Sequence, residues 1–122
     1  MAVRLYRPVG ANELAAIEQL AWRRFPPRLP EQPILYPVLN FEYAEQIARD
    51  WNSRHEPGNV GYVLEFDVSE PVAERYPVQT AGSASRHREL WVPAEELESF
   101  NDGIEGEIRM IATYHQGERA EG

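Results

Sequence analysis

A chain of 122 residues, 43% of them hydrophobic, suits one folded domain with an ordinary core. It has no cysteine, which excludes disulfide frameworks and thiolate zinc sites, and no run approaches the roughly 18 to 20 apolar residues of a membrane span. The net charge of −8 argues against general nucleic-acid binding, which needs clustered cations. All twelve basic residues are arginine, so no lysine can act as Schiff base, general base or phosphate-loop cation. No apolar segment of a signal peptide is visible at the N-terminus, and the expected location is cytoplasmic.

The opening "VRLYRPVG" reads as a strand with Val3, Leu5 and Val9 on one face. Period two puts Arg7 on that same face. "NELAAIEQLAW" reads as a helix, with Asn12 as N-cap and Leu14, Ile17 and Ala21 at helical spacing. The four prolines of "FPPRLPEQP" remove donors and fix φ, which makes this segment an extended loop. "ILYPVL" is a short strand whose Pro37 favours an edge or a bend.

"NFEYAEQIARDWN" carries the strongest helical pattern. Asn40 is its expected cap, and Phe41, Ala44, Ile47, Ala48 and Trp51 form its apolar stripe. "GYVLEFDV" alternates cleanly, with Tyr62, Leu64, Phe66 and Val68 on one face and Glu65 and Asp67 on the other. "SEPVAERYP" is a short helix or turn, and "VQTAGSAS" a mobile loop rich in small residues. "RHRELWVP" is a strand that begins charged and ends apolar. "AEELESFN" is a short helix, and "GEIRMIATYH" the last strand. The tail "QGERAEG" has nothing to bury. The expected organisation is a single domain over 1–115, with a flexible tail over 116–122. Its class is α+β: a small, split, strongly bent, mostly antiparallel sheet with two main helices.

Arg7 has two readings. Its guanidinium can reach solvent along the aliphatic stem, or it can clamp an anion through its planar fork. An unpaired buried charge costs several kcal/mol, so an inward Arg7 requires a carboxylate or a ligand beside it. Glu89 shares a strand face with His87 and Trp91. It can be an edge carboxylate paired with Arg86 or Arg88, or a functional acid; burial would raise its pKa and the arginines would lower it. His55, His87 and His115 lack metal-ligand spacing, and no metal is expected. The acidic run Glu95 to Glu107 reads as a solvated face. "AGSASR" lacks the G-x-S-x-G elbow. Arg28, in the proline-rich loop, is a candidate to line a cleft.

Two stretches resemble ADP-ribosyltransferase toxins of the cholera type. "LYRPVGANELAAIEQLAWRRFPPR" is similar to their opening strand, helix and "PR" turn, and "HRELWVP…IEGEIRMIATY" to their late strand bearing the catalytic glutamate. Up to about Tyr114 the chain also resembles a family of short bacterial proteins named for ADP-ribosylation and crystallin J1. The shared motifs are "LYRPVG", "FPPRLPEQPI-YPVLN", "YA-QIARDWN", "YPVQT" and "HRELWVPAEEL-FN".

The resemblance implies an ADP-ribosyltransferase-like fold that holds NAD in a cleft, without the G-x-G-x-x-G fingerprint, which the chain lacks. It assigns Arg7 to brace the cofactor and Glu89 to stabilise the ribosyl cation as nicotinamide leaves. Tyr36, Tyr43 and His87 are the other candidate cofactor-binding residues. Arginine-modifying members carry an acid two residues before the catalytic one, where this chain has His87. Many have a Ser-Thr-Ser-like stretch where it has "LYPVLN". The implied activity is transfer of ADP-ribose to an unknown acceptor, such as a protein, or NAD hydrolysis. The alternatives are a non-catalytic module that binds a nucleotide or a protein, and an acidic interaction protein such as an immunity factor.

Overall fold

The computed structural model describes residues 1–80 and 87–120. The expected loop "VQTAGSAS" therefore falls largely outside the described residues. Strand β1 (Ala2–Gly10) pairs antiparallel with β3 (Val60–Ser69), Leu5 opposite Phe66 and Arg7 opposite Leu64. β3 pairs antiparallel with β7 (Ile104–His115), and β7 with the short β8 (Glu118–Arg119). Among the described residues these four strands form a sheet of order β1-β3-β7-β8, and the class is α+β. Strand pairing thus continues past residue 115, because Gly117, at φ +88°, lets the chain double back.

The alternation expected for β3 holds. Leu64, Phe66 and Val68 are fully buried on one side, with Leu5, Val9 and Ile17. Val63, of opposite parity, enters a smaller cluster with Val38, Ala44, Ala48 and Tyr114. The sheet is therefore covered on one face and in part on the other. β7 serves both cores, although Ile108, Ala112 and Tyr114 are all even-numbered. Its register against β3 slips between Val63 and Leu64, where Ala112 and Met110 are the successive partners. The extra residue, Ile111, reverses the side-chain face and bends the strand. A second slip follows at Glu65 and Asp67, where β7 turns through Gly106 at φ +75°.

Helix α1 (Ala11–Gln19) begins directly where β1 ends, with Gly10 as N-cap. Asn12 is not the cap: the strand runs into the helix without a loop, so Asn12 already lies in the first turn. Ala21 is also outside the helix, left-handed at φ 60°, followed by Trp22 at φ 61°. This reversal brings the Trp22 carbonyl to the Ile108 N–H at 2.6 Å.

Helix α2 (Phe41–Ile47) is capped as expected, with Asn40 Oδ1 accepting from the Tyr43 N–H at 2.8 Å. It continues through a π-helical turn (Ala48–Asn52) into α3 (Ser53–His55). The wider turn shifts the helical face by one residue. Trp51, expected in the apolar stripe, is 58% exposed, while Asn52 and Ser53 are buried. Gly61 makes the close approach possible, since a Cβ there would collide with the Ala48 carbonyl.

The remaining elements are short. β2 (Ile34–Leu35) pairs with β6 (Val92–Pro93), and β4 (Gln79–Thr80) with β5 (Arg88–Glu89). "RHRELWVP" is thus two short strands rather than one, divided at Leu90 and Trp91. Helices α4 (Glu70–Ala73) and α5 (Leu97–Asp102) pack beneath the larger core. No helix among the described residues is long and apolar enough to cross a membrane.

Candidate functional site

The outer edge of β1 explains where the cleft lies. Tyr6 exchanges both backbone hydrogen bonds with Val38, at 2.9 and 2.8 Å. Val38 in turn bridges to Glu89, and Glu89 pairs with Gln79. A row therefore runs laterally from β1 through Val38 to β5 and β4. Two residues beyond Tyr6, the next outward donor would be the N–H of Pro8, which proline lacks. The row stops there. A cavity of about 440 Å³ opens beside Arg7, Pro8 and Val9, within the range of small-molecule sites.

Arg7, Tyr36, Tyr43 and Glu89 all line this cavity. Arg7 and Glu89 reach it from different sides. Arg7 projects with Leu5 and Val9 toward α1, while Glu89 lies in the Tyr6–Val38 row, which faces α2. The cavity joins them around the free edge of β1. His87 is not among its lining residues. Its ring stacks on Tyr43 at 4.5 Å, and its Nε2 lies 3.2 Å from Gln46 Oε1.

On the α1 side, Arg7 forms a two-pronged ion pair with Glu13. Nε donates to Oε2 at 3.0 Å and Nη2 to Oε1 at 2.9 Å. The Arg7 side chain is only 12% exposed. The carboxylate that an inward arginine requires is therefore Glu13, six residues on, rather than Glu89. Arg28 reaches the same Oε1 at 3.4 Å from the proline-rich loop. Burial works to raise the Glu13 pKa, but the charges and hydrogen bonds of Arg7 and Arg28 outweigh it and hold Glu13 below the usual carboxylate value.

On the α2 side, Glu89 is a buried residue, 8% exposed. Tyr43 Oη donates to Oε1 at 2.7 Å, and Trp91 Nε1 donates to Oε2 at 2.8 Å. Both donors are neutral, and among the described residues Glu89 has no cationic partner. Burial, then the hydrogen bond and charge of Glu89, push the Tyr43 phenol well above its ordinary value, so Tyr43 remains a proton donor. Tyr36, which lines the cavity, meets the half-exposed Trp91 ring edge-on at 6.2 Å. A third part of the lining comes from the π-helical turn: Asn52 Nδ2 donates to Glu56 Oε2 at 2.8 Å, beside Gly10.

Sequence reasoning missed Glu13, Asn52 and Glu56 as cleft residues. Glu13 was findable: if β1 enters α1 without a loop, residues six apart across that junction can meet. Asn52 and Glu56 depend on the π-helical turn, for which the sequence carries no signal that we recognise. Among the described residues no group of three or more His, Asp or Glu could hold a metal ion. The chain matches no family model, no curated protein and no solved structure.

Proposed function

We propose that the cleft binds NAD or a related dinucleotide in an ADP-ribosyltransferase-like fold, and that Glu89 is its functional acid. The observation that carries this reading is the separation of charge within one cavity. One side holds a buried carboxylate with neutral donors and, among the described residues, no cationic partner. The other holds two guanidiniums around a single carboxylate. A dinucleotide with a cationic nicotinamide ribose and an anionic diphosphate complements both sides.

Chemically, the bond between C1′ of the ribose and the nicotinamide nitrogen breaks, and its electron pair leaves with nicotinamide. Positive charge develops on the ribose. A fixed negative charge within a low-dielectric pocket lowers that barrier. Tyr43 and Trp91 hold the Glu89 carboxylate without neutralising it. Water or an acceptor nucleophile then adds at C1′ and releases a proton. Tyr36 supplies aromatic surface in the cavity for a planar ring, with Trp91 against its edge.

Calorimetric titration with NAD, followed by measurement of nicotinamide release, tests this. We expect binding, and a roughly 10²- to 10³-fold slower release by Glu89→Gln with binding retained. Absence of binding at millimolar NAD overturns the reading. Equal release by wild type and Glu89→Gln removes Glu89 from the chemistry. Binding without release above background would favour a nucleotide-binding module, a second reading supported by the use of one full edge of Arg7 by Glu13.

A further inference from the structure

Arg28 takes no part in the bond-breaking step proposed above, yet its charged side chain is largely buried in the cleft. Its side chain is 6% exposed. Its hydrogen bonding is poor for such a position. Among the described residues it donates only to Glu13 Oε1, at 3.4 Å, and that oxygen already accepts from Arg7 at 2.9 Å. Among the described residues the buried Nε of Arg28 has no partner. Two guanidiniums thus share one carboxylate, and the group carries an excess positive charge. Burial, then the like charge of Arg7, draw the Arg28 pKa below its ordinary value.

A buried arginine normally ends in a two-pronged pair, because the cost of taking it from water is several kcal/mol. The loop that carries Arg28 is dense in proline. Pro26 and Pro27 precede it, and Pro30 and Pro33 follow, each with φ set by its ring. The backbone therefore presents Arg28 to the cavity at little ordering cost. Of the other acids of the lining, Glu89 stands on the α2 side and would repel an anion there, which favours the arginine side for an anionic group.

We propose that Arg28, with the remaining donors of Arg7, forms a subsite for the phosphate groups of a nucleotide. This rests on the dinucleotide reading for the identity of the ligand, and on the Arg7–Glu13–Arg28 geometry for the subsite. It orients the ligand, with phosphates toward α1 and the nicotinamide ribose toward Glu89. It also separates the work of the two sides: Arg28 holds the ligand and Glu89 acts on it.

The test is binding of ADP, inorganic pyrophosphate and adenosine to the full chain, read by calorimetry and by the thermal unfolding midpoint. ADP and pyrophosphate are expected to bind wild type and raise its midpoint, since ligands that bind only the folded state stabilise it. Adenosine is expected to do neither. Arg28→Gln should weaken ADP at least about tenfold and abolish the pyrophosphate shift. Arg28→Lys keeps the charge without the planar fork; it should weaken ADP less, and it serves if Arg28→Gln fails to fold. Unchanged ADP affinity in either folded variant overturns the subsite, even where NAD still binds. No midpoint shift of wild type at millimolar pyrophosphate also overturns it. Pyrophosphate binding that depends on Arg28, in a protein that does not bind NAD, would retain the subsite and reject the dinucleotide reading.

Discussion

Arg4 and Arg7 sit three residues apart on one strand and live in different electrostatic worlds. Odd and even positions of β1 face opposite sides of the sheet, so the two guanidiniums never share a neighbour. Arg4 is 56% exposed and pairs with Asp67 at 3.0 Å, beside a second pair between Arg109 and Glu65 at 3.0 Å. That network has two cations and two carboxylates, and water screens it. Arg7 belongs to a group with two cations and one carboxylate, largely withdrawn from water. The same residue type on the same strand is surface dressing in one case and a demanding buried charge in the other. Burial and charge balance separate the two, and both are properties of the packed structure.

The strongest test of that contrast is Glu13→Gln. It leaves Arg7 and Arg28 buried without a counter-charge, and the expected loss is about 3–5 kcal/mol, read as a lower urea midpoint. A loss below about 1 kcal/mol, typical of an exposed pair, would show that water reaches the group and that the contrast is false.

A pH titration of stability comes next in size. The folded Glu13 carboxyl lies below its unfolded value of 4.5. The charged form is therefore favoured by folding. Its stabilisation is complete above about pH 4.5 and is lost as pH falls through the lower folded value. Wild type should lose stability across this acid window more steeply than Glu13→Gln, which has no proton to gain there. Parallel curves would remove Glu13 as the source.

Alkaline pH probes a smaller effect at a site outside the cleft. Burial, then the hydrogen bond to Glu96, push the Tyr76 phenol up to about 12. Its stabilisation is present below the ordinary value of 10 and declines as pH rises from 10 toward 12. Tyr76→Phe should cost about 1 kcal/mol at neutral pH and make the decline in that window shallower, while Tyr43 and Tyr114, whose phenols are also raised, keep it sloping.

The smallest expected effect is that of Arg4→Ala. Its urea midpoint should match wild type within error, at low and at high salt alike, because exposed pairs contribute little and are screened. A midpoint shift as large as that of Glu13→Gln would erase the difference between the two faces.

Much of this contrast could be read from residue order. Alternation in "VRLYRPVG" placed Arg7 inward, and the cost of a buried charge required an acid next to it. The alternation in β3 and the Asn40 cap of α2 were equally legible, because each depends on neighbours in sequence. The identity of the acid was not legible. Reading Asn12 as a cap implied a turn between strand and helix, and that turn would have separated Glu13 from Arg7. Trp51 failed for a related reason: its place in the stripe assumed an unbroken helical period, and the π-helical turn shifted it outward. His87, grouped with Glu89 by strand alternation, reaches it only through Tyr43.

Local periodicity thus determined the main strands, the second helix with its cap, and an arginine that faces inward. Tertiary structure alone decided which charges meet. Glu13 and Arg28 reach Arg7 through a direct strand-to-helix junction and a proline-braced loop. Glu89 reaches Tyr43 across forty-six residues of chain. Such meetings depend on where the sheet row ends at Pro8 and how the helices pack around that gap. Sequence spacing carries faces and periods, but it holds no record of the distance between side chains that only packing brings together.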